Sequence, residues 1–291
     1  MPVAPSNGIE ICYDTFGDPD DPAVLLVMGL GSQMVHWYPE VCQSIADRGF
    51  HVVRFDNRDT GESSWIDEPV DILAVMGGQA TGEAPAVPYL LSDMAADAVG
   101  LLDHLGIDRA HVFGISMGGM IVQTIAIEHP HRVRSLTSVM STTGDPDVGT
   151  PTAEAMAALM SPPPQTREAY QDAAVHHSGV WGSPGLVDEE RLRRTAGEAW
   201  DRGYNPMGTA RQLAAIVASG SRSAALAALA VPALVIHGTA DTLVQPSGGE
   251  RTAEVIPDAK LLLIEGMGHD LAPPLWPRLV DALAAHATEH A

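Results

Sequence analysis

A serine with a glycine two places away on each side, Gly114-Ile115-Ser116-Met117-Gly118, is the strongest chemical signal in the chain. A serine hydroxyl becomes a nucleophile only when a base takes its proton and a carboxylate steadies the resulting imidazolium. Gly-x-Ser-x-Gly suits that chemistry because it makes a sharp turn from strand to helix, holding the serine strained and exposed. Gly114 and Gly118 lack Cβ atoms, so the helix can pass close to the strand. Ala110–Ile115 reads as an apolar strand leading into the turn, and Met120, Ile121, Ile125 and Ile127 begin an apolar helix behind it.

Twelve histidines compete for the role of base. His269, in Gly266-Met267-Gly268-His269-Asp270, follows the last strand candidate, and its glycines free the loop to aim the imidazole. His104, His129 and His131 fall on helices or helix ends, His111 opens a strand at the wrong end of the sheet, and His176 and His177 belong to an inserted helical region. For the acid, Asp241 ends Val235-Ile236-His237-Gly238-Thr239-Ala240-Asp241, just past another strand, and His237 inside it reads as a structural, hydrogen-bonded residue. Asp145, in Gly144-Asp145-Pro146-Asp147, is the rival acid.

Gly-Ile-Ser-Met-Gly-Gly after a strand resembles the nucleophile elbow of the α/β-hydrolase superfamily. Asp56-Asn57-Arg58-Asp59-Thr60-Gly61-Glu62-Ser63 is similar to the Asp-x-Arg-x-x-Gly-x-Ser loop of many members. Within the superfamily the sequence resembles the aclacinomycin methylesterases, through Val-Met-Gly, Asp-x-Arg-Asp-Thr-Gly and Gly-Met-Gly-His at matching places. The resemblance implies a mostly parallel, doubly wound sheet with an inserted helical cap. It also implies a chain order of Ser116, Asp241 and His269 on loops at the carboxyl ends of strands. An oxyanion hole follows from it as well. One donor would be the backbone N–H of Met117, at the start of a helix whose dipole helps; the other would be the N–H of Leu30 or Gly29 in Met28-Gly29-Leu30-Gly31, where many relatives have His-Gly. Met34, Trp37, Met117 and Met267 are expected to line an apolar pocket, with Trp181, Trp200 and Tyr204 completing it or forming the core of the cap.

The elements that must position these residues alternate along the chain. Short β-branched runs at Ile9–Tyr13, Ala23–Met28, His51–Phe55, Ala110–Ile115, Val133–Val139, Ala233–His237 and Lys260–Ile264 read as strands. Helices are expected at 38–48, 92–105, 117–129, 247–256 and 275–288, the second with Asp93, Asp97 and Asp103 on its polar side. The pattern of a parallel sheet covered by helices follows. Residues 66–91, with Gly77-Gly78, Gly82 and three prolines, read as a long loop. From 143 to 225 no buried strand is legible, and helices near 151–160, 165–177, 187–203 and 207–219 read as a cap inserted into a core of residues 1–142 and 226–291.

Composition bounds the function. Lys260 and fifteen arginines oppose 37 acidic residues, for a formal charge of −21, which argues against nucleic acid and anionic membranes as partners. Cys12 and Cys42 are too few for a disulfide framework and read as reduced core thiols. No apolar run is long enough for a membrane span, and Met1–Ser6 carries no secretory signal, so a cytoplasmic location is expected. No tight ligand spacing such as His-x-x-x-His beside an acid is read, so neither a metal nor a cofactor is expected. The function that results is hydrolysis of small to medium, largely apolar carboxylic esters. Cofactor-free haloperoxidases, lactonases and C–C bond hydrolases share the same triad and remain alternatives, as does a non-catalytic ligand-binding receptor on the same fold.

Overall fold

The computed structural model describes residues 1–81 and 86–291. Eight strands form a single sheet in the order β1-β2-β4-β3-β5-β6-β7-β8. They are β1 (Val3–Ser6), β2 (Ile9–Phe16), β3 (Ala23–Val27), β4 (His51–Phe55), β5 (Ala110–Ile115), β6 (Val133–Val139), β7 (Ala233–Gly238) and β8 (Lys260–Ile264). β1 and β2 run antiparallel to their neighbours, and all other pairings are parallel. Strands β3, β4, β5 and β7 are buried throughout; β3 accordingly appears in the sequence as a continuous apolar run, while the others bury His51, Arg54, His111 and His237 within theirs.

Helices cover both faces of the sheet. α1 (Pro39–Ala46) and α11 (Trp276–Glu289) pack on one core, built on Val24, Leu26, Phe113 and Ile236. α3 (Leu91–His104) and α4 (Met117–Glu128) pack on the other, with Leu25, Val27, Val112 and Leu136. α10 (Ser247–Val255) lies against β7 and β8. Between β6 and β7 the chain makes α5 (Ala153–Leu159), α6 (Arg167–Trp181), α7 (Glu189–Gly203), α8 (Pro206–Ser219) and the short α9 (Ser223–Leu226). The first four each start on a side-chain cap, from Thr152, Thr166, Asp188 and Asn205, that accepts a backbone N–H of the first turn.

Four readings of the sequence need correction here. Residues 66–91 are not all loop: α2 (Ile72–Thr81) forms, started by the Asp71 carboxylate accepting Ala74 N–H at 3.0 Å. Gly82, counted in that loop, lies outside the described residues. β1 was not expected, yet Asn7 and Gly8, at φ 47° and 79°, make the tight turn that folds it onto β2. Asp97 reads as part of a polar helix face, but it is buried and takes two hydrogen bonds from Arg58, at 2.6 and 2.7 Å. The expectation that no metal-type spacing exists also fails. His286, Glu289 and His290, at i, i+3 and i+4 near the end of α11, bring their ligand atoms within 4.8 Å of one another. Glu289 is paired with Lys260, the first residue of β8, so the group lies at the end of the sheet opposite the loop that carries His269.

Candidate active site

Ser116 occupies the turn between β5 and α4 at φ 55° and ψ −123°, a strained backbone conformation for a residue with a side chain. Surrounding bonds hold it there: Ser116 N donates to Val139 O at 2.9 Å, and Ser116 O accepts Ser141 Oγ at 2.8 Å. The helix must cross the sheet closely, and a Cβ on Gly118 would stand 2.1 Å from Val27 O. Between positions 110 and 126, Ser116 is the one residue that is not buried. Its hydroxyl and His269 Nε2 have no hydrogen-bond partner among the described residues, so neither is committed elsewhere.

His269 lies on the loop after β8, and its Nδ1 meets Asp241 Oδ2 at 2.7 Å. The Asp241 carboxylate is fully enclosed, and its other oxygen accepts Leu243 N and Val244 N, both at 2.9 Å. Burial alone would raise its pKa. The opposing charge of His269 and the hydrogen bonds from His237 and His269 outweigh that and hold it down at about 2. His237 is buried with Nε2 2.7 Å from Val244 O. Asp145, the rival acid, is engaged by Ser221, by Ser223 at 2.6 Å and by Arg251 at 3.0 Å. The structure therefore brings Asp241, not Asp145, to His269.

The loop after β3 runs beside the serine: a Cβ on Gly29 would stand 3.1 Å from Ser116 Cβ and 3.6 Å from Oγ. Backbone N–H groups of Leu30 and Met117 meet no acceptor among the described residues. Two amide side chains fix this loop. Asn57 donates to Met28 O at 3.0 Å, while Gln212 of α8 accepts Gly31 N–H and donates to Arg58 O, both at 2.8 Å. Sequence reasoning missed Gln212, which lies 181 residues beyond the loop it supports.

The inserted helices sit over the carboxyl ends of the strands, tied to the loop after β4 by buried ion pairs. Arg211 of α8 binds Asp59 through two bonds at 2.8 and 2.9 Å, and Arg202 of α7 binds Asp56 at 2.7 Å. Both carboxylates are completely enclosed. Gln33, just before a short 3-10 turn at Met34–His36, adds bonds to Ala199 O and Gly203 O at 2.7 and 2.9 Å.

The expected pocket wall is only partly where the sequence put it. Met34, Met117 and Met267 are wholly buried and Trp37 is 1% exposed, so none of these side chains presents a surface to a ligand. Trp37 follows the 3-10 turn into the core beside α1 and stacks edge-on against Phe113 at 5.4 Å. Trp181, Trp200 and Tyr204 are half-buried. Trp181 stacks on His177 at 4.6 Å next to the His269 loop, whereas Trp200 and Tyr204 stack on each other at 5.0 Å and group with Tyr170.

This architecture is that of a known family. The chain belongs to the alpha/beta hydrolase fold family, whose model it matches over residues 22–272. It is similar to the rhodomycin D methylesterase DauP of Streptomyces sp. (strain C5), 30% identical with 96% of this chain and 95% of that one covered. Two solved structures share the fold. An enol-lactonase from Burkholderia xenovorans LB400 has a TM-score of 0.75 at 24% identity, covering 99% of this chain and all of that one. A meta-cleavage product hydrolase from Pseudomonas fluorescens IP01 has a TM-score of 0.80 at 19% identity, covering 100% and 98%.

Proposed function

We propose that this protein is a serine-dependent carboxylic ester hydrolase of the methylesterase kind, working through an acyl-enzyme at Ser116. In this reading His269 Nε2 takes the Ser116 proton as Oγ adds to the ester carbonyl, and Asp241 holds the imidazolium through Nδ1. The N–H groups of Met117 and Leu30 then donate to the carbonyl oxygen as it gains charge. His269 returns the proton to the departing alcohol, and a water activated by the same imidazole releases the acid. No cofactor takes part.

The observation that carries this reading is the pairing of a strained, accessible serine at a helix start with a histidine whose Nδ1 is fixed 2.7 Å from a buried carboxylate. Residues 143–225 act as the cap, over a core of 1–142 and 226–291, and Trp181, Trp200 and Tyr204 contact substrate from it. The likeness to a methylesterase supports small to medium, largely apolar esters. A charge of −21 opposes nucleic-acid partners, and two free buried thiols, Cys12 and Cys42, fit the cytoplasm. Among the described residues no helix is long and apolar enough to cross a membrane.

The test is hydrolysis of p-nitrophenyl butyrate by the wild type and by Ser116→Ala, followed by a panel that varies acyl and alcohol parts separately. The panel includes methyl esters of bulky acids and one lactone. Ser116-dependent release of nitrophenol is expected, and its absence sinks the proposal. Faster turnover of the lactone than of every open ester would favour the lactonase chemistry instead.

A further inference from the structure

The loop that carries His269 is held from outside the core. Helix α6 ends at Trp181, and its last carbonyls have no partner within the helix. Two of them reach the two loops behind the nucleophile: Val180 O accepts Thr242 Oγ1 at 2.9 Å, and Trp181 O accepts His269 N–H at 2.6 Å. Ser183, completely buried two residues further on, holds both neighbours of the histidine. Its Oγ accepts Gly268 N–H at 2.9 Å and donates to Asp270 Oδ1 at 2.5 Å, while its N–H donates to Asp270 Oδ2 at 2.9 Å. The packing is equally tight, since a Cβ on Gly268 would stand 2.3 Å from the Gly182 carbonyl carbon.

We propose that Ser183 and Asp270 are positioning residues for His269, setting the direction in which Nε2 points. This rests on the Ser116–His269–Asp241 reading. One bond from Nδ1 to Asp241 leaves the ring able to pivot about it, so where Nε2 points depends on where the His269 backbone is placed. Bonds at 268, 269 and 270 fix that backbone, and every one of them ends on the segment Trp181–Ser183 of the insertion. The base is therefore aimed by the insertion and charged by the core. Reacting groups misplaced by about 1 Å lose roughly 100-fold in rate, so the loss of these bonds should appear in kcat.

The experiment uses the full chain and the variants Ser183→Ala, Asp270→Ala and Asp270→Asn, beside Ser116→Ala. Steady-state kinetics on p-nitrophenyl butyrate are measured well below each melting temperature. Both alanine variants are expected to lose about 10- to 100-fold in kcat with KM within about twofold of wild type. Asp270→Asn, whose amide oxygen still accepts one of the two bonds from Ser183, should fall between them and wild type. A double variant combining Ser183→Ala with Asp270→Ala should be no slower than Ser183→Ala alone, because both residues act through one network. Should Ser183→Ala fail to fold, the nearly isosteric Asp270→Asn still decides. A lowered melting temperature with kcat intact, or a loss confined to KM, overturns the proposal. If Ser116→Ala keeps its activity, the nucleophile assignment has failed instead, and the two failures are told apart by that variant alone.

Discussion

Replacing Asp241 with Asn tests the proposed acid more sharply than deleting it, because the structure dictates how the amide must sit. Oδ1 of Asp241 accepts two backbone N–H groups, from Leu243 and Val244. Only the amide oxygen can keep both bonds, so the NH2 group takes the place of Oδ2 and points at His269 Nδ1. A donor there forces Nδ1 to accept, which moves the imidazole proton to Nε2, the atom that has to receive the serine proton. The wrong tautomer should lower kcat by about 10⁴-fold, roughly 5–6 kcal/mol of barrier, with little change in KM. The backbone bonds survive, so the variant should fold. Stopped-flow hydrolysis of a p-nitrophenyl ester, with circular dichroism as a check on folding, measures both. A kcat within tenfold of wild type would refute the assignment of Asp241 and reopen the case for Asp145.

Three further outcomes are expected. Ser116→Ala should lower turnover by a factor near 10⁶, and because the lost hydroxyl makes no bond among the described residues, its denaturation midpoint in urea should match wild type. Arg211→Met should destabilise the fold by about 3–5 kcal/mol in urea unfolding, since it strands the enclosed Asp59 carboxylate; a change below about 1 kcal/mol would mean that the Tyr89 hydroxyl and the Ile66 N–H, which donate to Asp59 at 2.6 and 2.8 Å, are enough to satisfy that charge. Acid sensitivity follows from Asp241, whose pKa is lowered from 3.8 to about 2. A depressed carboxylate stabilises the fold above its unfolded pKa and loses that contribution as pH falls through the folded one. Wild type should therefore shed about 2 kcal/mol between about pH 4 and pH 2 beyond what Asp241→Asn sheds, and parallel stability–pH curves for the two proteins would contradict this.

The strands were legible where burial on both faces leaves a short, mostly apolar run, as at His51–Phe55 and Ala110–Ile115, whose ends fall where the sequence places them. β1 was hidden because Val3-Ala4-Pro5-Ser6 is short and contains a proline, although the Asn7-Gly8 turn signal stood beside it. Helix α2 was obscured by Gly77-Gly78, but Asp71 three residues before Ala74 was a readable cap. Near the site, sequence order suggested which loop carries each group, yet not which way an apolar side chain turns. Trp37 and Met34 lie next to the loop after β3 in the chain and still face the core, because one turn of 3-10 helix rotates them inward. Gln212, Ser183, Arg202 and Arg211 carried no signal at all. Their partners are distant in sequence, and a polar side chain destined for burial looks the same as a solvated one until its partner is known.

Asp56 and Asp59 belong to the loop that the core contributes, and the arginines that neutralise them arrive on α7 and α8. Exchanging the insertion for that of a relative would leave two enclosed carboxylates without counter-charges unless the graft brought arginines at the same two places. Core and insertion are thus a matched set rather than interchangeable parts. A designer shuffling domains would need to transplant the ion pairs before the pocket.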